Sequence, residues 1–307
     1  MSGGEDERVR RRRNGFSIAF TLVVCAGLVA VLVHNIATGG ARQTATTRLL
    51  PLGDGRVSTS GAQRGWVYAC SVMSAGGGAF REGSWIRTDG TFDLAAKPTV
   101  GGRVSWPAAH IDITRNHGDV RIVGNGLPVG STTGTFPISS SDPAYAYDRN
   151  PNAITAHRVS FTLPIPHRAA QPGCLTGGPV GYAVNGVAIF DALDAENRDA
   201  LAHEILDHCD GHPERTGIYH YHSIPACLTN SVPGSGAKVV GWMLDGYPIV
   251  SEAHITDAGL DACHGRTSTI RLFGRSVRTY HYDATAEYPY TIGCYHGTPL
   301  RQPPLLP

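Results

Sequence analysis

The chain reads GYAVNGVAIF at residues 181–190 and, further on, GWMLDGYPIV at residues 241–250. Each stretch is followed by a cysteine with a glycine two positions later, then by a Tyr-His-Tyr triplet and a second cysteine. The matched positions are Cys209 with Cys263, Gly211 with Gly265, Tyr219-His220-Tyr221 with Tyr280-His281-Tyr282, and Cys227 with Cys294. Their order is the same in both halves, which predicts an internal duplication with copies at residues 181–227 and 241–294.

The cysteines agree with this duplication. One of the seven, Cys25, lies in an apolar N-terminal run, and the other six follow it along the chain. An even number of cysteines in an exported domain predicts three disulfides. Equivalent closure within each copy predicts the pairs Cys209–Cys227 and Cys263–Cys294, which leaves Cys70 to pair with Cys174.

Residues 65–165 contain short alternating or β-branched runs, cut by Gly, Asn, Asp and Pro, a pattern typical of strands. The runs are WVYACSV, SWIRTD, TFDLA, RVSW, HIDIT, VRIVG and HRVSFTLP. Gly118 and Asp119 predict a hairpin between two of these runs. Residues 124–152 read as one long loop, and loops of that length are uncommon unless they are functional.

A helix is predicted for residues 195–206, with Asp194 as its N-cap, from the spacing of the apolar residues. The predicted fold class is therefore mainly β with one or two short helices (α+β). We expect an internally duplicated, disulfide-bonded extracytoplasmic domain after an N-terminal transmembrane helix. That domain spans residues 65–300, with a β-rich first part at residues 65–165.

The N-terminus predicts the membrane attachment. Residues 1–14 form a basic tail, and an uncharged run follows at residues 15–37. As a helix this run would be about 34 Å long, which is enough to cross a hydrocarbon core. Because the arginines precede it, the positive-inside rule places the N-terminus in the cytoplasm and the rest of the chain outside. Residues 38–63, small and polar, read as a linker.

Two other interpretations of the N-terminus remain open. A cleaved signal peptide has an apolar stretch of roughly 7–15 residues, whereas the run here is longer, and cleavage would release a secreted protein. The pair Arg12-Arg13 invites a twin-arginine signal, although the residues after it fit poorly. All three interpretations deliver the main domain outside the cytoplasm, and the membrane is the predicted partner of the uncleaved form.

The charge balance excludes a general nucleic-acid binder. The chain has 26 Lys+Arg against 25 Asp+Glu, so it has no excess of positive charge with which to neutralise phosphates.

The histidines indicate a metal site. In a strand, side chains alternate between faces, so His220 and His222 would lie on one face, about 6.6 Å apart along the backbone. The second copy places His281 and Asp283 on the matching face. If the copies pack about a pseudo-two-fold axis, the four side chains could surround one transition-metal ion, with Cu and Zn as the first choices. The competing interpretation is a solvent-facing or hydrogen-bonded histidine pair.

Asp210, His212 and His264 flank the first cysteine of each copy and are expected near the site as ligands or outer-shell groups, and Glu204 is expected there as an outer-shell group. His296 is a further candidate, and for all five a turn or surface role remains open. The sequence HEILDH at residues 203–208 resembles the HExxH motif of zinc peptidases, but position i+4 is Asp207. The alternative is a polar helix face on which Glu204 or Asp207 hydrogen-bonds a strand histidine.

The segment CDGHPERTGIYHYHSIPACL resembles the YHYH-domain proteins, together with NGVAIFDALDAENRDALAHE before it and GWMLDGYPI and PYTIGCYHGTP after it. GNGLP, TGTFPI and YDRNPNAI are similar to the segment that precedes the domain in that family. The name motif is carried by residues 219–222. The resemblance implies an exported or membrane-attached protein without an established activity. In the second copy Asp283 stands where the motif has its last histidine.

The leading hypothesis is a membrane-anchored extracytoplasmic domain that binds a transition metal, with an activity that the sequence leaves unestablished. A metal-dependent hydrolase or oxidoreductase is a lesser alternative. The alternative of another class is a metal-free adhesion or carbohydrate-binding module. Its stacking candidates are Trp66, Trp85, Trp106, Tyr145 and Tyr147.

Overall fold

A computed structural model describes residues 49–72, 77–234, 236–252 and 256–300. They belong to one unit, Thr47–Pro307. The predicted basic tail and membrane segment lie outside the described residues. Within the described part, no helix combines the length and apolarity that a membrane crossing needs.

The described chain is mainly β with two short helices, as predicted. The strands are β1 (Leu49–Pro51), β2 (Val57–Ser58), β3 (Val67–Tyr68), β4 (Thr91–Asp93), β5 (Ile111–Asn116), β6 (Asp119–Gly124), β7 (Val159–Leu163), β8 (Arg168–Gly173), β9 (Gly181–Ala183), β10 (Ala188–Ile189), β11 (Gly211–Pro213), β12 (Tyr219–Tyr221), β13 (Lys238–Met243), β14 (Pro248–Ser251), β15 (Gly265–Leu272), β16 (Arg275–Ala284) and β17 (Tyr295–Gly297). The helices are α1 (Ala200–His203) and α2 (Ala226–Ser231), and a 3₁₀ turn spans Pro143–Ala146.

An eight-stranded sheet contains the strands of residues 181–227 and of residues 238–284, in the order β11-β12-β10-β9-β13-β14-β16-β15. The two sides of the sheet show the same sequence of parallel and antiparallel pairs when each is followed outward from the central pair β9–β13. β10 runs parallel to β12 and β14 runs parallel to β16, while β11 and β15 lie antiparallel on the two edges. The two halves join through the antiparallel pair β9 and β13, so they meet edge to edge.

Glycine permits the close approach at this junction. A Cβ at Gly181 would lie 2.6 Å from the carbonyl oxygen of Trp242, and one at Gly241 would lie 2.5 Å from the carbonyl oxygen of Tyr182. Both distances are far inside van der Waals contact, so a larger residue at either position would push β9 and β13 apart.

A second sheet, β5-β6-β7, precedes the repeats and contains the predicted hairpin. His117 and Gly118 form its turn with positive φ values of 47° and 107°, as a tight two-residue hairpin connection requires. The runs SWIRTD and RVSW do not become strands of this kind. They contribute isolated bridges, from Ile86 to Phe92 and from Val104 to Thr133.

The predicted helix at residues 195–206 is much shorter than expected. Only Ala200–His203 is helical, and its N-cap is Asp199 rather than Asp194. The Asp194 carboxylate instead accepts hydrogen bonds from the backbone N–H groups of Glu196 and Arg198 and from the Arg198 side chain. These bonds hold residues 194–198 in a turn and delay the start of the helix.

The structure places residues 49–63 in the folded unit, where the sequence predicted a linker. β1 pairs with β4 and β2 pairs with β3. The backbone N–H of Gly53 donates to Asp199, and Asp54 accepts from the Asp199 N–H and contacts His203. This segment therefore fixes the start of α1.

The three predicted disulfides are all present. They join Cys70 to Cys174, Cys209 to Cys227, and Cys263 to Cys294. The first ties the β-rich part to the segment before β9, and each of the other two closes one repeated segment.

Candidate metal centre

The Tyr-His-Tyr-His segment alternates between the two faces of its sheet, as predicted. Tyr219 and Tyr221 are fully buried on the core side. The Tyr219 hydroxyl donates to Asp207, and the Tyr221 hydroxyl accepts from the Asn185 amide at 3.0 Å. The two histidines, His220 and His222, therefore share the opposite face, and their Nε2 atoms lie 3.1 Å apart.

Four buried side chains converge on this face: Glu204, His212, His220 and His222. Their ligand atoms all lie within 4.8 Å of one another, so the cluster could hold a metal ion. Glu204 Oε2 lies 2.6 Å from His212 Nε2 and 3.2 Å from His222 Nε2. His212 Nε2 lies 3.4 Å from His222 Nε2.

Backbone carbonyls set the orientation of two of the imidazoles. His220 Nδ1 lies 3.1 Å from the carbonyl oxygen of Ile218, and His222 Nδ1 lies 2.5 Å from that of Asp191. A carbonyl only accepts, so each Nδ1 carries the proton and each neutral ring presents the lone pair of Nε2. Two lone pairs then point at each other beside a carboxylate, an arrangement that a cation between them would stabilise.

The electrostatics of the cluster favour a neutral His220 beside an ionised Glu204, through the shifts in their pKa values. Burial, together with His212 and His222, holds the pKa of His220 well below its usual value. Burial raises the pKa of Glu204, but His212 and His222 outweigh it and leave that pKa well below its usual value. Burial also lowers the pKa of His222, and the hydrogen bond to Glu204 reverses this and raises it.

Neighbouring groups hold the cluster in place. Phe190 stacks on His220 with ring centroids 3.9 Å apart. The buried Lys97 donates to the carbonyl oxygens of Leu201 and, at 2.6 Å, of Glu204, and so fixes the backbone where α1 ends. Burial lowers the pKa of Lys97 to about 8.

Two members of the cluster lie outside the predicted set of four ligands: His212 was expected as a ligand or an outer-shell group, and Glu204 as an outer-shell group. His212 lies directly opposite His220 in the β11–β12 pair, and Glu204 follows the last residue of α1. The position of His212, three residues after the cysteine that begins the YHYH segment, was a usable signal. Glu204 had no comparable signal, since its place depends on where α1 stops. The contact of Glu204 with the strand histidines agrees with the alternative interpretation of the HEILDH segment, in which Glu204 or Asp207 hydrogen-bonds a strand histidine.

The structure does not bring His281 and Asp283 to this cluster, which corrects the predicted ligand set. Four strands separate β12 from β16 in the sheet, because the two halves join edge to edge instead of face to face. His281 Nε2 lies 2.7 Å from the Ser268 hydroxyl, and Asp283 Oδ2 forms an ion pair with Arg266, with Nε 3.2 Å away. Burial raises the pKa of Asp283 to about 6, although Arg266 opposes the shift.

The other expected outer-shell residues lie around the cysteines. Asp210 adopts φ 51° in the turn before β11, and His264 adopts φ 71° at the equivalent position before β15. His264 Nε2 contacts the Thr285 hydroxyl at 3.1 Å. His296 stacks on Tyr280 with ring centroids 3.6 Å apart, so it lies in the second half.

The HEILDH segment does not form a peptidase-type motif. α1 ends at His203, whose Nε2 contacts Asp54 at 2.9 Å. Asp207 accepts from the backbone N–H groups of Gly134 and Cys209, and His208 contacts Thr132. Without a continuing helix, the segment does not present its histidines and Glu204 to one ion.

Two of the aromatic residues proposed for ligand stacking, Trp85 and Tyr147, pack against each other. Trp85 is buried and donates to the carbonyl oxygen of Ala202, and Tyr147 packs edge-on against it. Trp106 donates a hydrogen bond to the Thr133 hydroxyl at 3.1 Å. The first two of these residues therefore serve the core that supports α1.

Comparison with known proteins supports the resemblance found in the sequence. Residues 160–259 match the model of a protein family described as "YHYH protein". No curated protein sequence and no solved structure matches the chain. The matched range contains all four residues of the cluster and ends before Cys263.

Proposed function

Because the chain carries a YHYH domain whose name motif supplies two of the four clustered side chains, we propose that it is a metal-binding protein. The proposed ligands are Glu204, His212, His220 and His222. The ion is a transition metal, and one ion is bound per chain. The function is firm retention of this ion, because four protein ligands that are all buried leave no open position of the kind that catalytic zinc sites keep.

The observation that carries the proposal is the pair of opposed Nε2 atoms. His220 and His222 are held by carbonyls at Nδ1 and face each other at 3.1 Å. A proton on His212 Nε2 would satisfy the contact of His212 with Glu204. Between His220 Nε2 and His222 Nε2, by contrast, two neutral rings place no proton. Buried polar groups normally have partners, so a cation is the natural occupant.

The donor set and spacing favour zinc or copper. Three imidazoles and one carboxylate suit Zn and Cu, whereas Ca²⁺ and Mg²⁺ prefer oxygen ligands. Bonds of 2.0–2.1 Å in a tetrahedron place ligand atoms about 3.3 Å apart. Four of the six pairwise separations are 2.6, 3.1, 3.2 and 3.4 Å, and all six lie within 4.8 Å.

We also propose that the domain lies outside the cytoplasm, held by residues 15–37 as a membrane anchor. Three disulfides among the described residues are typical of an oxidising compartment. The basic tail before the apolar run supports an orientation with the N-terminus inside.

We infer that residues 181–227 and 241–294 arose by duplication. Corresponding hydrogen bonds support this inference: the hydroxyl of Tyr219 donates to Asp207 at 2.9 Å, and that of Tyr280 donates to Asp261 at 3.0 Å. The strand order also supports it, because the order β11-β12-β10-β9 from one edge corresponds to β15-β16-β14-β13 from the other. The ligand positions differ between the copies, so one ion per chain is expected.

Elemental analysis by plasma mass spectrometry tests the metal proposal. The full chain, exported into an oxidising compartment, is expected to carry about one Zn or Cu ion. The His220→Ala/His222→Ala variant should lose it, with affinity reduced more than about 100-fold, since loss of an outer-shell group alone costs 10–100-fold.

The matched control is His110→Ala/His167→Ala, which removes two exposed histidines that are not members of the cluster. Its metal content should equal that of the wild type. The proposal fails if the wild type takes up neither ion after reconstitution, or if both double variants bind metal equally well.

A further inference from the structure

A second cluster of polar side chains lies on the β15–β16 pair, outside the candidate metal centre. Arg266 lies directly opposite His281 in this pair, and Ser268, two residues further along β15, therefore shares the face of His281. Asp283 follows two residues after His281 on the same face of β16. A hydroxyl, an imidazole and a carboxylate are the three groups that serine nucleophiles use in hydrolysis.

The contacts in this cluster follow the order that a serine nucleophile requires. The Ser268 hydroxyl lies 2.7 Å from His281 Nε2, and His281 Nδ1 lies 3.4 Å from Asp283 Oδ1. A proton on Nδ1, directed at the carboxylate, leaves Nε2 to accept the hydrogen bond that the Ser268 hydroxyl donates. The Nδ1–Oδ1 distance is longer than a formed hydrogen bond, and such distances in free catalytic sites commonly shorten when substrate binds.

The burial of the two charged partners supports this arrangement. Only 1% of His281 is exposed, and no residue that the structure describes forms a hydrogen bond with its Nδ1. Buried polar nitrogens are normally paired, so the Asp283 carboxylate is the natural partner of this atom. Arg266 holds the carboxylate in turn, with Nε 3.2 Å from Asp283 Oδ2.

The protonation states at neutral pH are those that the reaction needs. Burial lowers the pKa of His281, and the guanidinium of Arg266 acts in the same direction. The imidazole is therefore neutral and able to accept a proton as a general base. Burial raises the pKa of Asp283 to about 6 against the opposing effect of Arg266, which leaves the carboxyl ionised at neutral pH.

The Ser268 hydroxyl lies at an accessible edge of the sheet. Ser268 is half-buried, its neighbours Thr267 and Thr269 are exposed, and β15 is the last strand of the sheet on this side. The N–H of Asp283 donates to the carbonyl oxygen of His264, and the alternation of an antiparallel pair then directs the N–H groups of Thr267 and Thr269 away from β16. The N–H of Thr269 is thus oriented to donate to the oxygen of an acyl group on Ser268.

We propose that Ser268 is the nucleophile of a site that hydrolyses small carboxylic esters, with His281 as its general base and Asp283 as the residue that positions the imidazole. The Ser268 oxygen bonds to the ester carbonyl carbon while its proton passes to His281 Nε2. The bond to the alcohol oxygen then breaks, and the alcohol leaves with that proton. Water next attacks the acyl group and gives a proton to His281, which returns it to the Ser268 oxygen as the carboxylic acid leaves.

Labelling of the full chain with diisopropyl fluorophosphate tests the nucleophile. An activated serine displaces fluoride from phosphorus, and mass spectrometry of the digested chain locates the phosphoryl adduct. One adduct is expected, on Ser268, and Ser268→Ala should abolish it. His281→Gln should slow labelling at least about 100-fold, the lower range of general-base contributions. Hydrolysis of p-nitrophenyl acetate should fall in parallel in both variants.

The variant Asp283→Asn tests the positioning role. It should slow labelling and move the acid limb of the pH–rate profile to lower pH. The reason is that residue 283 no longer titrates near pH 6, and that loss of its negative charge disfavours the protonated imidazole. The other charged groups around the pair, Arg266, Glu252 and Asp261, are unchanged in this variant. A pH profile identical to that of the wild type would contradict the positioning role.

The matched controls are Ser276→Ala, which removes an exposed serine of β16, and His110→Gln, which removes an exposed histidine. Both should be labelled as fast as the wild type. The proposal is overturned if the wild type forms no adduct, if the adduct lies on another residue, or if folded Ser268→Ala is labelled equally. Four strands separate β16 from β12, so a chelator should leave the rate unchanged whether or not the metal proposal holds. A loss of labelling on chelation would also contradict the proposal.

Discussion

His264 is a buried histidine that titrates far from its ordinary range. Only 3% of it is exposed, and its neighbours are Thr285, Asp257, Asp261 and Arg64. Burial lowers its pKa to about 3, with Arg64 acting in the same direction and Asp261 opposing. The unfolded chain, with a histidine pKa near 6.5, binds more protons than the native state between pH 6.5 and pH 3. The contribution of His264 to the free energy of unfolding is therefore fully present above pH 6.5 and decreases as the pH falls below that value.

We predict that His264→Asn makes stability less sensitive to acid. Asparagine tolerates the left-handed backbone, φ 71°, and its amide can contact Thr285. Below pH 6.5 the wild type should lose up to about 1.4 kcal/mol per pH unit more than the variant. Urea unfolding at several pH values measures this difference. The control is His117→Asn, an exposed left-handed histidine with φ 47°, and equal pH slopes in wild type and His264→Asn would contradict the prediction.

The sequence predicted the positions of some residues of the candidate metal cluster better than those of others. The two-residue period of a strand sufficed to put His220 and His222 on one face, and the same period exposed their Nε2 atoms to one point. Glu204 could not be placed in the same way. Its position depends on Asp54, which accepts from the Asp199 N–H, and on Lys97, which donates to the Glu204 carbonyl oxygen, and both come from distant parts of the chain.

At the level of elements, the pairs β11–β12 and β15–β16 occupy equivalent places but differ in charge. His212 lies opposite His220 in the first pair, and Arg266 lies opposite His281 in the second. In the second pair Arg266 contacts Asp283 at 3.2 Å. The guanidinium thus supplies a covalently attached cation where the first pair gathers side chains that could hold an ion.

We predict that Arg266→Met lowers the free energy of unfolding by about 1–3 kcal/mol, because it leaves the buried Asp283 without its charged partner. The lower part of that range is favoured, since the Arg266 side chain is 39% exposed. Arg266→Met/Asp283→Asn should recover most of the loss, and both variants should keep one metal ion. Denaturant unfolding measures these values. Arg271→Met on the exposed side of β15 is the matched control, and an equal loss in that variant would contradict the role of Arg266.

Strands of the first half were predicted where alternation was regular, as in the hairpin of β5 and β6. The helix was predicted too long, because the apolar spacing of residues 195–206 does not record the turn that Asp194 makes with Arg198. A side chain that bonds nearby backbone groups competes with the helix, and periodicity does not detect this competition.

At the scale of the whole molecule, the cysteines allowed the three disulfides to be predicted, since covalent closure follows the repeat along the chain. The packing of the repeats could not be predicted in the same way. Two segments related by a pseudo-two-fold axis can pack with the faces of their sheets opposed, or they can pair through their edge strands. The edge pairing of β9 and β13 decided the outcome, and it separated His281 and Asp283 from the proposed metal ligands.

Residues 49–63 contribute to the stability of the whole fold. They bury Leu50, and Gly53 and Asp54 make three polar contacts with Asp199 and His203 at the start and end of α1. We predict that a chain beginning at residue 64 loses about 3–5 kcal/mol of stability, from one buried leucine and these contacts. The corresponding fall in the midpoint of thermal unfolding is roughly 10 °C. Because α1 ends next to Glu204, the shortened chain should also release metal at lower chelator concentration. A chain beginning at residue 47 is the control and should match the full chain, and equal midpoints for the two shortened chains would show that residues 49–63 are a linker after all.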